Sequence, residues 1–222
     1  MPRTKSSNEW LRRHVNDPFV KQAQLDGYRS RSAYKLIELN EKDRLIKPAM
    51  RILDLGSAPG GWSQVAGKLV GKKGRVLATD ILPMDPIPNV DFIQGDFTEA
   101  AVVDQLLAWL EGGRFDLIVS DIAPNITGID SADQAGSMYF LELALDTVRK
   151  TLKPGAAFVA KMFQGSGSDD YVKELRKSFE KVVIRKPAAS RAQSREVYIV
   201  AKGFRGSSPL KPKAALASTK RP

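Results

Sequence analysis

The sequence contains no cysteine and a single histidine, His14. Without cysteine the chain forms neither disulfide bonds nor thiolate metal sites, which is typical of proteins in the reducing cytoplasm. Because the one histidine lies in a basic N-terminal segment, we interpret it as a solvated surface residue. A histidine-based triad and a multi-histidine metal site are therefore excluded, and we expect no bound metal.

The sequence also lacks long hydrophobic runs. No run approaches the roughly 20 apolar residues that a membrane-spanning helix needs. The N-terminal stretch MPRTKSSNEWLRRH is basic and polar, and no apolar segment follows it, so we expect no secretory signal. These features predict a cytoplasmic protein that does not enter a membrane.

Acidic residues are outnumbered by basic ones, 25 against 35, and the formal net charge is +10. An excess of this size predicts a polyanionic partner, most often nucleic acid. Charge alone does not distinguish an enzyme from a ribosome-associated binding protein. The 222 residues, 42% of them hydrophobic, are sufficient for one large domain.

Apolar runs alternate with helical patterns along most of the chain. Strands are predicted at Met50–Gly56, Gly74–Ile81, Val90–Asp96, Phe115–Ile122, Gly155–Met162, Lys181–Pro187 and Arg195–Phe204. Helices are predicted at Trp62–Val70, Glu99–Glu111, Ala132–Leu152 and Ser168–Glu180, and upstream as two helices broken near Gly27, the second at Ser30–Leu45. This alternation indicates an α/β fold with a mostly parallel seven-stranded sheet and helices on both faces.

The last two predicted strands are separated by only AASRAQS. A parallel crossover needs a dozen or more residues, so the last strand should be antiparallel. We expect three segments: residues 1–29 as a basic N-terminal segment with a helix, residues 30–204 as the catalytic domain, and residues 205–222 as a disordered basic tail.

A glycine-rich turn, DLGSAPGGWSQ, follows the first of these strands at Asp54–Gln64. An α/β sheet binds nucleotides at this place. If Gly56 is the first glycine of a G-x-G-x-x-G fingerprint, Ala58 occupies the position where a second glycine lets the backbone approach a pyrophosphate. No G-K-[ST] follows, so a phosphate loop is also excluded. The turn therefore predicts a nucleoside without phosphate.

Aspartates stand at the ends of three successive strands. Asp54 can brace the turn, Asp80 can accept hydrogen bonds from ribose hydroxyls, and Asp96 can meet an adenine amino group. Converging acids also favour a positively charged ligand, and S-adenosylmethionine is a nucleoside with a sulfonium cation. The alternative is that each aspartate caps the following helix. Three of them beside a glycine-rich turn favour ligand binding.

Several motifs in order resemble the FtsJ/RrmJ family of RNA ribose 2′-O-methyltransferases, from about Trp10 to Phe204. They are DLGSAPGGWSQ, ILPMDP, VDFIQGDF, SDIAPN, KMFQG and RKPAASRAQSREVYIVA. The resemblance is strongest to bacterial members that methylate a uridine of large-subunit ribosomal RNA. It implies a Rossmann-like methyltransferase sheet with a reversed last strand, and S-adenosylmethionine as cofactor. The implied cofactor-binding residues are Asp54, Gly56, Gly60, Trp62, Asp80, Asp96 and Asp121, although Trp62 could equally pack its helix.

The resemblance also implies a catalytic tetrad of Lys35, Asp121, Lys161 and Glu196. Burial and a neighbouring cation make a lysine a better base, so Lys161 is the expected proton acceptor and Lys35 the neighbouring cation. Asp121 would orient Lys161 and contact the cofactor, and Glu196 would hold Lys35 or the ribose. Nearby carboxylates act against this activation. In isolation, a lysine such as Lys35 on an amphipathic helix is more typical of a solvated residue.

Two basic segments flank the predicted lysines, RSRSAYK and RKPAASRAQSR. Cations interleaved with aromatic rings suit a splayed-out nucleotide. The candidate RNA contacts are Arg29, Arg31, Tyr34, Arg191 and Arg195. The alternatives left open are a transfer RNA ribose methyltransferase, a non-catalytic RNA-binding assembly factor and, without a Tyr-x-x-x-Lys relay to support it, an NAD(P)-dependent oxidoreductase. We expect a monomer.

Overall fold

The computed structural model describes residues 17–124 and 127–206; His14 and most of the predicted basic tail lie outside these ranges. The helices are α1 Pro18–Leu25, α2 Ala33–Asp43, α3 Gly61–Val70, α4 Ala100–Leu110, α5 Asp130–Thr151 and α6 Ser168–Ser178. The strands are β1 Arg51–Leu55, β2 Arg75–Asp80, β3 Val90–Gln94, β4 Phe115–Ser120, β5 Leu152–Phe163, β6 Phe179–Arg185 and β7 Glu196–Phe204.

The seven strands form one sheet in the order β3-β2-β1-β4-β5-β7-β6. The β1–β2, β1–β4, β2–β3 and β4–β5 pairs are parallel, whereas β7 is antiparallel to both β5 and β6. The prediction of a mostly parallel sheet with a reversed last strand is confirmed. The order of the strands along the chain reverses between β1 and β4: β2 and β3 lie on one side of β1, and β4 and β5 lie on the other. Open α/β sheets bind ligands in the crevice at the carboxyl ends of the strands that flank such a reversal.

Each face of the sheet carries its own apolar core. One core lies under α4, α5 and α6, and the other lies under α2 and α3. In β4, Ile118 contributes to the first core, and Leu117 and Val119 contribute to the second. Successive side chains of a strand point to opposite faces, so two covered faces explain why the strands read as nearly continuous apolar runs.

Helix α2 brings a lysine to the second core. Ala33, Leu36 and Leu39 form its buried stripe, and Lys35 beside them is only 8% exposed. The helix ends at Arg44, where the Asn40 side chain accepts hydrogen bonds from the amides of the next two residues. The lysine stem is therefore buried along the apolar face while its amine reaches the polar end of β7.

The strand and helix boundaries differ from the predicted ones by a few residues. Two starts differ by three residues: α2 begins at Ala33 rather than Ser30, and β5 begins at Leu152 rather than Gly155. In β5, Leu152 pairs with Phe115 of β4 before a register shift. Across the described ranges, none of the helices has both the length and the apolarity needed to cross a membrane.

Candidate active site

The glycine-rich loop after β1 is fixed to the neighbouring strand. The amides of Gly56 and Ser57 both donate to the carbonyl oxygen of Thr79, at 2.9 and 3.1 Å. Gly56 has φ +69°, and a Cβ atom there would lie 2.0 Å from the Cγ1 atom of Ile122. Both the backbone conformation and the close packing therefore require glycine at this position.

A cavity of about 310 Å³ opens beside this loop at the carboxyl ends of the strands. The acidic residues that line it are Asp80, Asp96 and Asp121. Its apolar wall contains Ile81, Leu82, Phe97, Ile122, Pro124 and Phe140. The volume lies at the lower end of the range for small-molecule sites, and an apolar wall with a few polar groups is typical of them.

Asp80 and Asp96 combine loop bracing with exposure to the cavity. One carboxylate oxygen of Asp80 accepts the amide of Ala58 and the other accepts the amide of Leu82, each at 2.9 Å. Asp96 accepts the amide of Thr98 at 2.8 Å. A carboxylate oxygen can accept more than one hydrogen bond, so both groups keep capacity for a ligand.

Asp54 is not one of the residues that line the cavity. Its side chain is 1% exposed, and one oxygen accepts the Ser63 hydroxyl at 2.6 Å. The other oxygen, Oδ1, has no hydrogen-bond partner among the described residues. Burial raises the pKa of Asp54 to about 7, with Asp121 and Asp80 adding to the rise and the Ser63 hydrogen bonds opposing it. Its observed contact is the bracing of α3.

Gly60 and Trp62 also lie outside the cavity wall. A Cβ atom on Gly60 would lie 2.6 Å from Ile87, so this glycine packs under the loop that follows β2. The Trp62 side chain is 2% exposed, its indole nitrogen donates to the Ser32 carbonyl at 2.8 Å, and its ring centroid lies 5.6 Å from that of Tyr198. Of the two interpretations of this ring, the structure supports packing. The expectation that the ring contacts the cofactor is corrected, because the core encloses it.

The four residues of the predicted tetrad lie together at the ends of β4, β5 and β7 and on α2. The ammonium nitrogen of Lys161 lies 3.2 Å from the Asp121 carboxylate and 2.5 Å from the Asp121 carbonyl oxygen. The ammonium nitrogen of Lys35 lies 2.7 Å from the Glu196 carboxylate, which also accepts the Ser190 hydroxyl at 2.9 Å. The four side chains are each at most 16% exposed.

The hydroxyl of Tyr198, a residue outside the predicted tetrad, joins these two ion pairs. The hydroxyl accepts from Lys35 at 3.0 Å and donates to the Asp121 carboxylate at 2.6 Å, with Glu196 at 3.3 Å as a second acceptor. Tyr198 stands opposite Lys161 across the β5–β7 pair. The two-residue period of a strand could have pointed to Tyr198 from the sequence, because it places Tyr198 on the same face as Glu196.

The charges of this cluster compensate one another. Burial alone would raise the pKa of Asp121, but Lys161 and Lys35, together with hydrogen bonds from Tyr198 and Lys161, outweigh it and lower that pKa. Burial and the nearby carboxylates of Asp121 and Glu196 raise the pKa of Tyr198 well above 10. At neutral pH the cluster therefore contains an ionised Asp121 and a neutral tyrosine that donates its proton.

Three of the five predicted RNA contacts bind within the protein. Both Nη atoms of Arg29 donate to main-chain carbonyls, and Arg31 pairs with Asp17 at 2.7 Å and donates to the Ala189 carbonyl. The Tyr34 hydroxyl donates to Asp26 at 2.6 Å. All three side chains therefore have partners within the protein, and their contacts with RNA stay predictions. Arg29 and Arg31 connect segments that are distant in sequence, whereas Tyr34 and Asp26 are eight residues apart.

The other two predicted RNA contacts keep exposed side chains on the loop between β6 and β7. Arg191 is 45% exposed and lies 3.9 Å from Asp17, and Arg195 is 54% exposed and lies 3.1 Å from Asp130. Exposed ion pairs of this kind are weak. Both guanidinium groups can therefore exchange a carboxylate for a phosphate.

The model of the FtsJ-like methyltransferase family matches residues 28–204. This chain belongs to that family. It is 70% identical over 206 residues to the ribosomal RNA large subunit methyltransferase E of Stutzerimonas stutzeri, covering 93% of this chain and all of that protein. The protein of the same name from Marinobacter nauticus is 69% identical over 205 residues, 92% of this chain and 99% of that one.

A solved structure supports the same assignment of the FtsJ-like fold. It is a protein from Plasmodium falciparum, provisionally named a ribosomal RNA methyltransferase, with a TM-score of 0.71 and 34% identity to this chain. The match covers 81% of this chain and all of that one. The expectations of an FtsJ-like methyltransferase and of a Rossmann-like sheet are thus confirmed.

Proposed function

We propose that this FtsJ-like methyltransferase transfers a methyl group from S-adenosylmethionine to the 2′-hydroxyl of a uridine in large-subunit ribosomal RNA. The observation that carries the proposal is the position of Asp121. Asp121 lines the cavity, and its carboxylate pairs with the buried Lys161 ammonium group at 3.2 Å. A group bound in the cavity is therefore adjacent to a polar cluster suited to activating a hydroxyl.

The cavity residues fit S-adenosylmethionine, which when bound supplies a methyl group activated by a positively charged sulfur. Three carboxylates in the wall favour a cation, and the apolar wall suits an adenine ring. Asp80 would hold the ribose hydroxyls and Asp96 the adenine amino group. The first turn of α3, which includes Trp62, has main-chain amides without intrahelical acceptors, so Trp62 would contribute through its main-chain amide. The Gly60 amide already donates to the Ser57 carbonyl at 2.7 Å, so Gly60 would shape the turn rather than donate to the ligand.

The polar cluster can accept the hydroxyl proton and can stabilise the negative charge that develops on the ribose oxygen. As a neutral amine, Lys161 accepts the hydroxyl proton; as an ammonium group, it donates to the developing alkoxide. Both roles need the nitrogen where Asp121 holds it. Lys35 adds a second positive charge, and Glu196, held by Ser190, fixes its position.

The choice of ribosomal RNA is supported by the names of the two bacterial relatives and by the chain's net charge of +10. No observation favours transfer RNA, an oxidoreductase or a non-catalytic assembly factor. We further propose that the protein works as a monomer in the cytoplasm, where ribosomal subunits are assembled.

A labelled transfer experiment tests this function. The purified protein is incubated with methyl-labelled S-adenosylmethionine and large ribosomal subunits from cells that lack it, and the RNA is digested to nucleosides. We expect label in 2′-O-methyluridine. Label on a base, or no label with a protein that binds the donor, would contradict the proposal. Label obtained only in a parallel reaction that contains transfer RNA in place of the subunits would also contradict it.

A further inference from the structure

Arg29 and Arg31 are two residues apart, and their side chains hold two different loops at the active-site edge. Arg29 contacts the β2–β3 loop, residues 81–89, and Arg31 contacts the β6–β7 loop, residues 186–195. The first loop carries part of the cavity wall, and the second contains Ser190, which donates to Glu196. Arg29 therefore contacts the loop that lines the cavity, and Arg31 contacts the loop that supports Glu196.

The Arg29 guanidinium bridges two of the loops that line the cavity. Nη1 donates to the Asp85 carbonyl at 2.7 Å and to the Pro59 carbonyl at 3.3 Å, and Nη2 donates to the Pro86 carbonyl at 2.9 Å. Pro59 belongs to the glycine-rich loop after β1, whereas Asp85 and Pro86 belong to the β2–β3 loop. One side chain therefore fixes the distance between the two.

The backbone of Arg29 is itself anchored, so the side chain starts from a fixed point. Its amide donates to the Gln64 side chain on α3 at 2.8 Å, and the Gln64 amide group donates back to the Gly27 carbonyl at 3.1 Å. A Cβ atom on Gly60 would lie 3.2 Å from Arg29 Nη1. The glycine thus leaves room for the guanidinium against the loop.

The β2–β3 loop needs such an anchor because its cavity-lining residues are exposed. Ile81 and Leu82 are 65% and 59% exposed. Asp80 fixes the start of the loop through the Leu82 amide, and Arg29 fixes its later part. Without the second anchor, ligand binding would have to supply the free energy of ordering the loop, and affinity would fall.

We propose that Arg29 is a positioning residue for the methyl-donor cavity, acting by holding the β2–β3 loop against the glycine-rich loop. This proposal rests on the proposed function, because it takes S-adenosylmethionine as the ligand of that cavity. Arg31 is the counterpart for the β6–β7 loop, through Asp17 and the Ala189 carbonyl. Neither needs to touch the ligand it supports.

The competing assignment is that Arg29 contacts an RNA phosphate. The two roles differ in whether a lysine can substitute for Arg29. A phosphate contact needs mainly a positive charge, which lysine keeps, whereas three carbonyl acceptors at fixed positions need the planar fork of a guanidinium. A phosphate contact also contributes to the salt dependence of RNA binding, and an internal anchor does not.

Calorimetric titration of full-length R29K, R29A and R31K with S-adenosylmethionine, without RNA, tests the proposal. Wild-type protein must bind the donor in the same experiment; if it does not, the proposed function fails rather than this inference. We expect a donor dissociation constant raised about tenfold in R29K and at least as much in R29A. R31K, which keeps the charge and alters the other loop, should bind the donor within about twofold of wild type.

RNA binding by the same proteins, measured at several salt concentrations without donor, supplies the second readout. R29A should keep the wild-type slope of log affinity against log salt. A slope smaller by about one, as loss of a phosphate contact predicts, or wild-type donor affinity in R29K, would overturn the proposal. Equal weakening of donor binding in R29K and R31K would also overturn it.

A measurement on the wild-type chain covers the case in which an Arg29 variant does not fold. In protein labelled at arginine nitrogens, the Arg29 guanidinium signal should be unchanged by a short RNA and should respond to S-adenosylmethionine. A shift of that signal with RNA, and none with the donor, would contradict the proposed role.

Discussion

Lys161 and Tyr198 face each other across the antiparallel β5–β7 pair, and both contact the same carboxylate oxygen of Asp121. The ammonium nitrogen lies 3.2 Å from that oxygen and the tyrosine hydroxyl lies 2.6 Å from it. Since the hydroxyl also accepts from Lys35 at 3.0 Å, one phenol links the two lysines through hydrogen bonds. Lys161 is therefore held both by this shared carboxylate oxygen and by the Asp121 carbonyl oxygen.

Replacing Tyr198 with phenylalanine should reduce the rate of methyl transfer by roughly tenfold to a hundredfold. The variant removes a donor to a buried carboxylate and an acceptor for Lys35, and hydrogen bonds to charged groups contribute about 1.5–3 kcal/mol. Donor affinity should change little, because the hydroxyl is not in the cavity wall. Single-turnover kinetics and calorimetry measure the two effects separately.

Tyr171→Phe is the matched control for that variant. The Tyr171 hydroxyl is also buried and donates to the Leu141 carbonyl at 2.8 Å, but it lies between α5 and α6. This variant should lose stability and keep its transfer rate. Comparable rates in Tyr198→Phe and wild type would show that the shared hydrogen bonds do not position the cluster.

Asp54 should make the stability of the fold depend on pH. Its folded pKa is raised to about 7, against an unfolded value of about 3.9. The folded state therefore binds the proton more tightly, and the stability this provides is present below about pH 4 and is lost as the pH rises through 7. In Asp54→Asn this dependence disappears.

Urea unfolding of the two proteins at several values between pH 4 and 8 measures the effect. The free energy of unfolding of wild type relative to Asp54→Asn should fall by about 3–4 kcal/mol over this range. Contributions from other titrating groups cancel in the difference. Two curves that stay parallel would rule out a buried carboxyl of raised pKa.

Glu38→Ala should slow methyl transfer by about tenfold without changing donor affinity. The Glu38 carboxylate accepts the amides of Ala188 and Ala189 at 2.6 and 2.9 Å, which fixes the β6–β7 loop next to Ser190. Without it, the Ser190 hydroxyl no longer holds Glu196 in place. Glu41→Ala, on the exposed side of the same helix, is the control and should behave as wild type in the same steady-state assay.

Arg191→Ala should weaken RNA binding and reduce its salt dependence by about one unit of slope. The side chain is 45% exposed on the β6–β7 loop, and each phosphate contact releases condensed counterions. Filter binding between low and moderate salt measures the slope. Arg176→Ala, an exposed change on α6, should leave it unaltered; an unaltered slope in Arg191→Ala would remove that residue from the RNA contacts.

The fold was predictable because it depends on local pattern and connection length. The seven apolar runs and the short AASRAQS connection were sufficient for the sheet and its reversed last strand. The side-chain cluster could be predicted only in part. Family motifs identified Lys35 and Lys161, but Tyr198 reads as an ordinary strand residue until its partner across the sheet is known.

Arg29 and Arg31 show why contacts between distant segments could not be predicted from the sequence. Arg29 and Arg31 form a basic, aromatic-flanked motif typical of RNA binding. Their acceptors are main-chain carbonyls, which are present at every residue and leave no trace in composition or spacing. Ala189, the carbonyl partner of Arg31, lies 158 positions along the chain. Only the tertiary structure identifies such pairs.

The most direct test of the account separates donor binding from methyl transfer in Lys161→Ala. Calorimetry should give a donor dissociation constant within about threefold of wild type, because the amine is not part of the cavity wall. Methyl transfer to large ribosomal subunits should fall by at least about a thousandfold, the scale of a lost general base. A variant that binds the donor and still transfers methyl groups at a rate near that of wild type would contradict the account.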